Sequence, residues 1–246
     1  MSVPKIFRSI YKRLNNLFSH PFQVYKREGA YFLLNRNTLM DEGIIKFKKY
    51  ENHLIDRAKE IIEKNNIKYF FDIGSNIGFY SVLLGKLSTI EKIYSFEPLP
   101  MLFQQINSNI LINNLTPKWT GFNCALSDKN DKAEFFYNPY FLGTSSLKQE
   151  WANNRGTHSI KVDVNKFDDL IDIRQENCFV KIDVEGNELE TVRGMKEFLL
   201  ANKVYMQIES SEENIEEIKN LLSGAGYRLV CNVSGNDYYI SNMNIN

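Results

Sequence analysis

The sequence predicts an α/β fold with a mostly parallel sheet, preceded by a basic helical extension, and three observations carry that expectation. From residue 66 onward, short apolar runs rich in β-formers alternate with segments of helical periodicity. Two of those runs leave the apolar pattern in the same way, through Asp72-Ile73-Gly74 and Asp183-Val184-Glu185-Gly186, as at ligand crevices of open α/β sheets. The chain has 246 residues, 43% of them hydrophobic and 24% charged, enough for one sizeable core.

Composition excludes disorder, collagen and coiled coil. Thirty basic and thirty acidic side chains cancel, so no global field steers the molecule toward nucleic acid. Cys124, Cys178 and Cys231 are odd in number, far apart, and form neither a CxxC pair nor a zinc pattern with the three histidines. That reads as reduced thiols in a cytoplasmic protein. No run approaches the roughly eighteen apolar residues needed to span a bilayer, and the opening residues lack the apolar core of a signal peptide. The expectation is a protein neither exported nor integral.

Residues 1–30 carry a net charge of +5. Ile6, Ile10, Leu14, Leu17 and Phe18 recur at helical spacing with Lys5, Arg8, Lys12 and Arg13 between them, which predicts an amphipathic helix ended by His20-Pro21. Residues 1–20 either lie peripherally on an anionic membrane near a lipid-linked substrate, or pack on the main domain or a second subunit. Ile45, Leu54, Ala58, Ile61 and Ile62 mark a lead-in helix over residues 44–65 that stops at Asn65-Asn66. Residues 1–65 therefore form a helical extension, and residues 66–246 the main domain.

In that domain residues 69–73 form a buried strand ended by Gly74, and Phe79, Val82, Leu83 and Leu87 trace the helix after Gly78. A second strand, residues 92–96, closes at Glu97-Pro98. Leu99, Leu102, Phe103, Ile106 and Ile110 trace the next helix, and residues 119–126 read as a third strand. Residues 127–165 break the rhythm with turn residues and short aromatic segments, predicting an inserted hairpin or ordered loop. Alternation resumes with a strand over 178–184, a helical run over 188–200, a strand over 204–210 and a helix over 213–222 with Gly224 and Gly226 at its end. Residues 227–233 and 238–241 make a closing antiparallel hairpin.

The first candidate site is Asp72-Ile73-Gly74-Ser75-Asn76-Ile77-Gly78, where a strand becomes a helix. Gly74 permits a tight turn and Gly78 a close approach of helix to strand. Glu97 ends the next strand 23 residues after Gly74, placed to take both ribose hydroxyls of a nucleoside. A pyrophosphate would want bare glycine where Asn76 stands. Asp72 at the strand tip suits a cationic amino group, such as that of S-adenosylmethionine (SAM), better than a pyrophosphate. SAM is therefore favoured over a nicotinamide dinucleotide, while a plain turn capped by Asn76 explains the same letters structurally.

The second constellation is Lys181-Ile182-Asp183-Val184-Glu185-Gly186, whose three charges share one side as long as the chain stays extended. They are either groups at work in a crevice or an internal ion pair between Lys181 and one carboxylate. Glu209 ends the following strand and faces the same crevice. With Asp183 and Glu185 it offers oxygen to a hard divalent cation such as Mg²⁺, although no metal is favoured.

Five ordered motifs, DIGSNIG, FEP at 96–98, ALSD at 125–128, GTSSL at 143–147 and KIDVEGNELETVRG at 181–194, together resemble the FkbM-type family of SAM-dependent methyltransferases over residues 66–210. The resemblance implies a Rossmann-like sheet of seven strands with the last antiparallel. It also implies methyl transfer to a hydroxyl, typically of a sugar in a glycan, glycolipid or related natural product. By motif, Gly74, Ser75, Asn76 and Gly78 line the methionine end, Glu97 with Pro98 the ribose, and Ala125, Leu126 and Ser127 the adenine. Asp128 either reaches the adenine amino group or belongs to a surface turn.

A sugar hydroxyl must lose its proton as it attacks, so a base is needed. Asp183 is the first candidate, Glu185 the second and His158 a distant third, with Lys181 beside them. Thr144, Ser145 and Ser146 either hydrogen-bond the acceptor or form an ordinary polar turn. Tyr137, Tyr140, Phe141 and Trp151 either stack on a sugar ring or pack the insertion. The competing readings are a nicotinamide-dependent oxidoreductase or epimerase, and a non-catalytic SAM-fold module docking on a membrane or partner. Asn76 and the lack of a Tyr-x-x-x-Lys pair argue against the first; the joint presence of Asp72, Glu97 and Asp183 argues against the second. Neutral charge and the absence of an NPPY-type motif argue against nucleic-acid modification.

Overall fold

A computed structural model describes residues 20–47, 50–152, 156–209 and 214–241. It opens with an antiparallel hairpin of β1 (Phe22–Arg27) and β2 (Ala30–Asn35). Glu28 and Gly29 both have positive φ, 47° and 74°, as a two-residue turn of type I′ requires. Ala30, Phe32 and Leu34 alternate inward. The expected helical extension is thus corrected at residues 22–35, where the period is two rather than 3.6. The amphipathic helix expected near the start falls on residues 1–19, outside the described residues.

The single lead-in helix is also corrected, into α1 (Leu39–Lys46) and α2 (Asn52–Lys64). Between them Glu51 takes a left-handed conformation, φ 51°, which no continuous helix admits. The βα units follow: β3 (Tyr69–Ile73), α3 (Phe79–Gly85), β4 (Lys92–Phe96), α4 (Pro100–Ile112) and β5 (Trp119–Phe122). The expected third strand over 119–126 breaks at Asn123, whose amide donates to the carbonyls of Glu97 and Pro98 at 2.8 and 3.0 Å. Its end becomes β6 (Ala125–Leu126), which leaves the main sheet for a small one of order β6-β8-β7, with β7 (Asp131–Tyr137) and β8 (His158–Asn165) forming the inserted hairpin.

After α5 (Phe167–Leu170) and β9 (Asn177–Ile182), the helical run becomes α6 (Glu188–Arg193) and α7 (Lys196–Ala201). The Asp168 carboxylate accepts the N–H groups of Glu197 and Phe198 at 2.8 and 2.9 Å, capping a new helix there. β10 (Lys203–Glu209), α8 (Ile215–Gly224), β11 (Tyr227–Val233) and β12 (Asn236–Ser241) complete the chain.

The main sheet has seven strands in the order β11-β12-β10-β9-β3-β4-β5, parallel except for β12, which runs antiparallel to both neighbours. This is the Rossmann-like arrangement. Strand alternation splits the interior into two cores. Phe70 joins α2, α3, α4 and the β1–β2 hairpin on one face, and Phe71 joins α5 to α8 on the other. Because the chain runs outward from β3 to β5 and returns at β9, the crevice opens at the carboxyl ends of β3 and β9.

The hairpin is part of the first core. Phe32 is fully buried with its ring 5.1 Å from that of Phe79. The free edge of β2 is closed by amide side chains on successive turns of α4. Asn109 Oδ1 accepts from Leu33 N–H at 2.6 Å, Gln105 donates to the Leu33 carbonyl at 2.9 Å, and Asn113 exchanges bonds with both backbone groups of Tyr31. Phe32→Ala should therefore destabilise the fold by about 3–5 kcal/mol in urea denaturation. An unchanged midpoint would reduce the hairpin to an appendage.

Candidate active site

The site starts from a contact that only glycine permits. Gly74 has φ +75°, and a Cβ there would lie 1.7 Å from the carbonyl oxygen of Asp183. Asp183 N–H donates to the Ile73 carbonyl at 3.0 Å, so the chain past β9 is stitched to the end of β3. The N–H groups of Gly74 and Ser75 both donate to the Phe96 carbonyl, bending the turn toward β4. Asn76 is left-handed, φ 50°, and its N–H donates to Glu97 Oε2 at 2.9 Å, while Leu99 N–H donates to Oε1 at 2.9 Å.

A cavity of about 230 Å³ lies over these strand ends. Of the residues expected around a cofactor, Gly74, Ser75, Asn76, Glu97, Pro98, Ala125 and Leu126 line it. Four do not. Asp72 is buried below the wall, where Oδ2 accepts from Ser81 N–H at 2.9 Å and Ser81 Oγ at 2.5 Å, so it anchors α3 rather than reaching outward. Gly78 packs against Ile106. Ser127 N–H donates to the Asn165 carbonyl in the small sheet, and Asp128 is exposed. The Leu126 carbonyl is held by Asn187 at 2.9 Å and Thr191 at 3.1 Å.

Lys181, Asp183, Glu185 and Glu209 line the same cavity. They do not form a simple alternating row, because β9 ends at Ile182 and Glu185 turns into the left-handed region, φ 52°. The internal ion pair forms: Lys181 Nζ stands 2.9 Å from Asp183 Oδ2 and 4.9 Å from the centre of the Tyr80 ring. Burial opposes the ammonium charge, but Asp183 and Asp72 outweigh it and hold Lys181 above the ordinary lysine range. Burial, then repulsion from Asp183 and Glu209, pushes Glu185 up to about 8. Burial and Asp183 likewise push Glu209 up to about 7.

The GTSS segment divides. Ser145 lines the cavity, with Oγ donating to the Leu142 carbonyl at 2.8 Å. Ser146 is buried off the wall, its Oγ donating to the Glu185 carbonyl at 2.6 Å, and Thr144 turns back onto the Phe141 carbonyl. Tyr137, Tyr140, Phe141 and Trp151 are not on the wall. Trp151 instead fills the space beside Gly186, where a Cβ would lie 2.7 Å from its ring. His158 is exposed beside Tyr137.

Several wall residues were not expected. Met40, Tyr50 and Glu51 come from the segment read as extension, and Phe79, Tyr80, Cys124 and Phe135 from apolar stretches. The signal for Tyr50-Glu51 is the gap of eight residues between Ile45 and Leu54 among the apolar positions that mark the helix. Cys124 is buried, which pushes its thiol up to about 12. Among the described residues, no three His, Cys, Asp or Glu side chains are grouped so as to hold a metal ion.

Burial pushes the Glu97 carboxyl up to about 8 against the two N–H groups that pull it down. The folded chain thus binds this proton more tightly than the unfolded chain, and stability falls as pH rises from the ordinary carboxylate range to about 8. The melting temperature of the ligand-free protein should decline between about pH 5 and about pH 8, and Glu97→Gln should flatten that decline. An equal decline in the variant would assign the proton elsewhere.

The sequence matches the Methyltransferase FkbM domain over residues 72–229. Hexuronic acid methyltransferase AglP of Haloferax volcanii is 29% identical over 182 residues, covering 71% of this chain and 69% of that protein. Methyltransferase 1 of Beauveria bassiana is 23% identical over 194 residues, 70% and 77% of the two chains. The crystal structure of methyltransferase FkbM from Methylobacillus flagellatus KT has the same fold, with a TM-score of 0.52 at 18% identity over 71% of this chain and 44% of that one. The matched span holds the glycine turn, Glu97 and the Lys181–Asp183 pair, and the chain belongs to the FkbM methyltransferase family.

Proposed function

We propose that this protein is a SAM-dependent O-methyltransferase whose acceptor is a sugar hydroxyl of a glycan, glycolipid or related natural product. The observation that carries the reading is one cavity bounded by the Gly74–Asn76 turn and Glu97 on one side and by Asp183, Glu185 and Glu209 on the other.

The wall residues fit an adenosyl ligand. Each Glu97 oxygen accepts one backbone N–H and keeps lone-pair capacity for a ribose hydroxyl. Asn76 Oδ1 is buried without a partner at the turn where the methionine end would lie. Phe96, Pro98, Ala125 and Leu126 supply the apolar surface a flat adenine needs. When bound, SAM supplies an electrophilic methyl group on a sulfonium.

The chain's own part is to hold the acceptor oxygen in line and receive its proton. Lys181 Nζ donates to Asp183 Oδ2 at 2.9 Å, which leaves Oδ1 for the acceptor hydroxyl. Asp183 takes the proton there, and Glu185 and Glu209, which titrate near neutrality, border it as secondary acceptors. Ser145 and Glu209 flank the acceptor. The hexuronic acid activity named for the Haloferax relative supports a sugar acceptor. Among the described residues no helix is long and apolar enough to cross a membrane. Three unpaired cysteines suit a reducing, cytoplasmic setting, with lipid-linked acceptors reached by peripheral contact through residues 1–20.

Calorimetric titration with SAM, S-adenosylhomocysteine and NADH tests the cofactor: the two adenosyl ligands should bind and NADH should not. NADH binding would favour the oxidoreductase reading instead. In a screen of nucleotide-activated and lipid-linked sugars, Asp183→Asn should retain SAM binding while turnover falls about 10²–10⁴-fold. Undiminished turnover in that variant would remove Asp183 as the base.

A further inference from the structure

A second cavity, of about 170 Å³, opens between α2 and the sheet edge formed by β10, β12 and β11. It is distinct from the methyl-transfer cavity. Gln207 stands between the two, donating to the Tyr80 hydroxyl on the catalytic wall at 3.3 Å and lying in register beside Tyr238, which lines the second cavity.

Its charge is one-sided. Arg57 and Lys64 of α2 and Arg228 of β11 line it against a single acid, Glu60. Arg57 and Glu60 form an ion pair at 2.7 Å and cancel. Lys64 and Arg228 have no ion-pair partner among the described residues, and both are exposed at the rim. Lys64 alone would be explained as a cation complementing the end of α2, but Arg228 sits on a strand and has no such reason to be there.

The floor supplies an independent observation. Tyr238 is 2% exposed, and its hydroxyl has no hydrogen-bond partner. Buried hydroxyls are nearly always satisfied, so a lone one on a cavity wall marks a place where a ligand atom accepts its proton. Burial keeps this phenol protonated, and therefore a donor, with the Arg57 charge close enough to act on it.

We propose that this cavity binds a phosphate group, with Lys64 and Arg228 supplying charge and Tyr238 the buried hydroxyl donor. A phosphate offers several anionic oxygens in different directions, which suits donors that converge from a helix, an edge strand and a buried ring. A carboxylate carries a single charge and its acceptor sites lie in one plane, so it matches donors from three directions less well than a phosphate does. The phosphate belongs either to a soluble ester or to a lipid headgroup.

The test uses the full chain in phosphate-free buffer at low salt, titrated calorimetrically with inorganic pyrophosphate. Wild type should bind saturably. The Lys64→Ala/Arg228→Ala double variant should bind at least about tenfold more weakly, and Tyr238→Phe several-fold more weakly without a lower melting temperature. SAM affinity should be unchanged in all of them, which separates this site from the methyl-transfer reading. No saturable binding by wild type would overturn the proposal, as would equal affinity in every variant, the signature of an adventitious ion only. Flotation with phosphatidylcholine vesicles, with and without phosphatidylglycerol, assigns the source. Loss of anionic-vesicle binding in the double variant points to a headgroup, and unchanged vesicle binding with lost pyrophosphate binding points to a soluble ester.

Discussion

The buried ammonium of Lys181 is the charge around which the catalytic end of the molecule is organised. It lies in register beside Asp72 of β3, 2.9 Å from Asp183 just past the end of its own strand, and against the face of the Tyr80 ring. Asp72 in turn anchors α3 through Ser81, whose hydroxyl continues to Ser95 at 2.7 Å and so to the Trp119 indole at 2.8 Å. One cation thus stands beside both the carboxyl that anchors α3 and the carboxyl just past the end of β9. Removing one member of a buried ionic cluster leaves the others uncompensated, which is why such a cluster holds its geometry once formed.

The remaining acids have no such partner. Glu51, Glu97, Glu185 and Glu209 line the cavity, with Lys181 the only basic side chain among the described residues of that wall. Burial, reinforced by neighbouring acids, makes Glu97, Glu185 and Glu209 keep their protons to higher pH. The amide ladder between β2 and α4 is of a different kind, since Gln105, Asn109 and Asn113 carry no charge. Asn109 also donates to the Ile77 carbonyl at 2.8 Å, tying the hairpin to the glycine turn. The ladder itself is therefore uncharged, with Gln105 also donating to the buried Asp41 carboxyl at 2.8 Å, while acids line the cavity.

Most of the sheet was legible from periodicity, because buried parallel strands read as apolar runs and the intervening helices as 3.6-residue patterns. The glycine turn, Glu97 and the Lys181–Glu185 segment were legible because charges at the tips of apolar strands have few structural explanations. Side-chain direction was not. Asp72 is at the strand tip the pattern assigned it, yet it points beneath the wall to Ser81. The β1–β2 hairpin was hidden because its two strands have only six residues each, so the alternation of Ala30, Phe32 and Leu34 is a short signal inside a stretch assigned to helix. Tyr50 and Glu51 reach the cavity only through a left-handed link between two helices, a feature of tertiary packing that no local propensity reports.

Cys124 shares the wall with the residues read as the adenosyl pocket, and a thiol is a far better nucleophile toward a methyl sulfonium than any sugar hydroxyl. Only its thiolate is dangerous. Burial pushes the thiol up to about 12, so near neutral pH it keeps its proton. The apolar packing that buries Cys124 in the cavity wall therefore also keeps its sulfur in the less reactive form, whichever ligand the cavity holds.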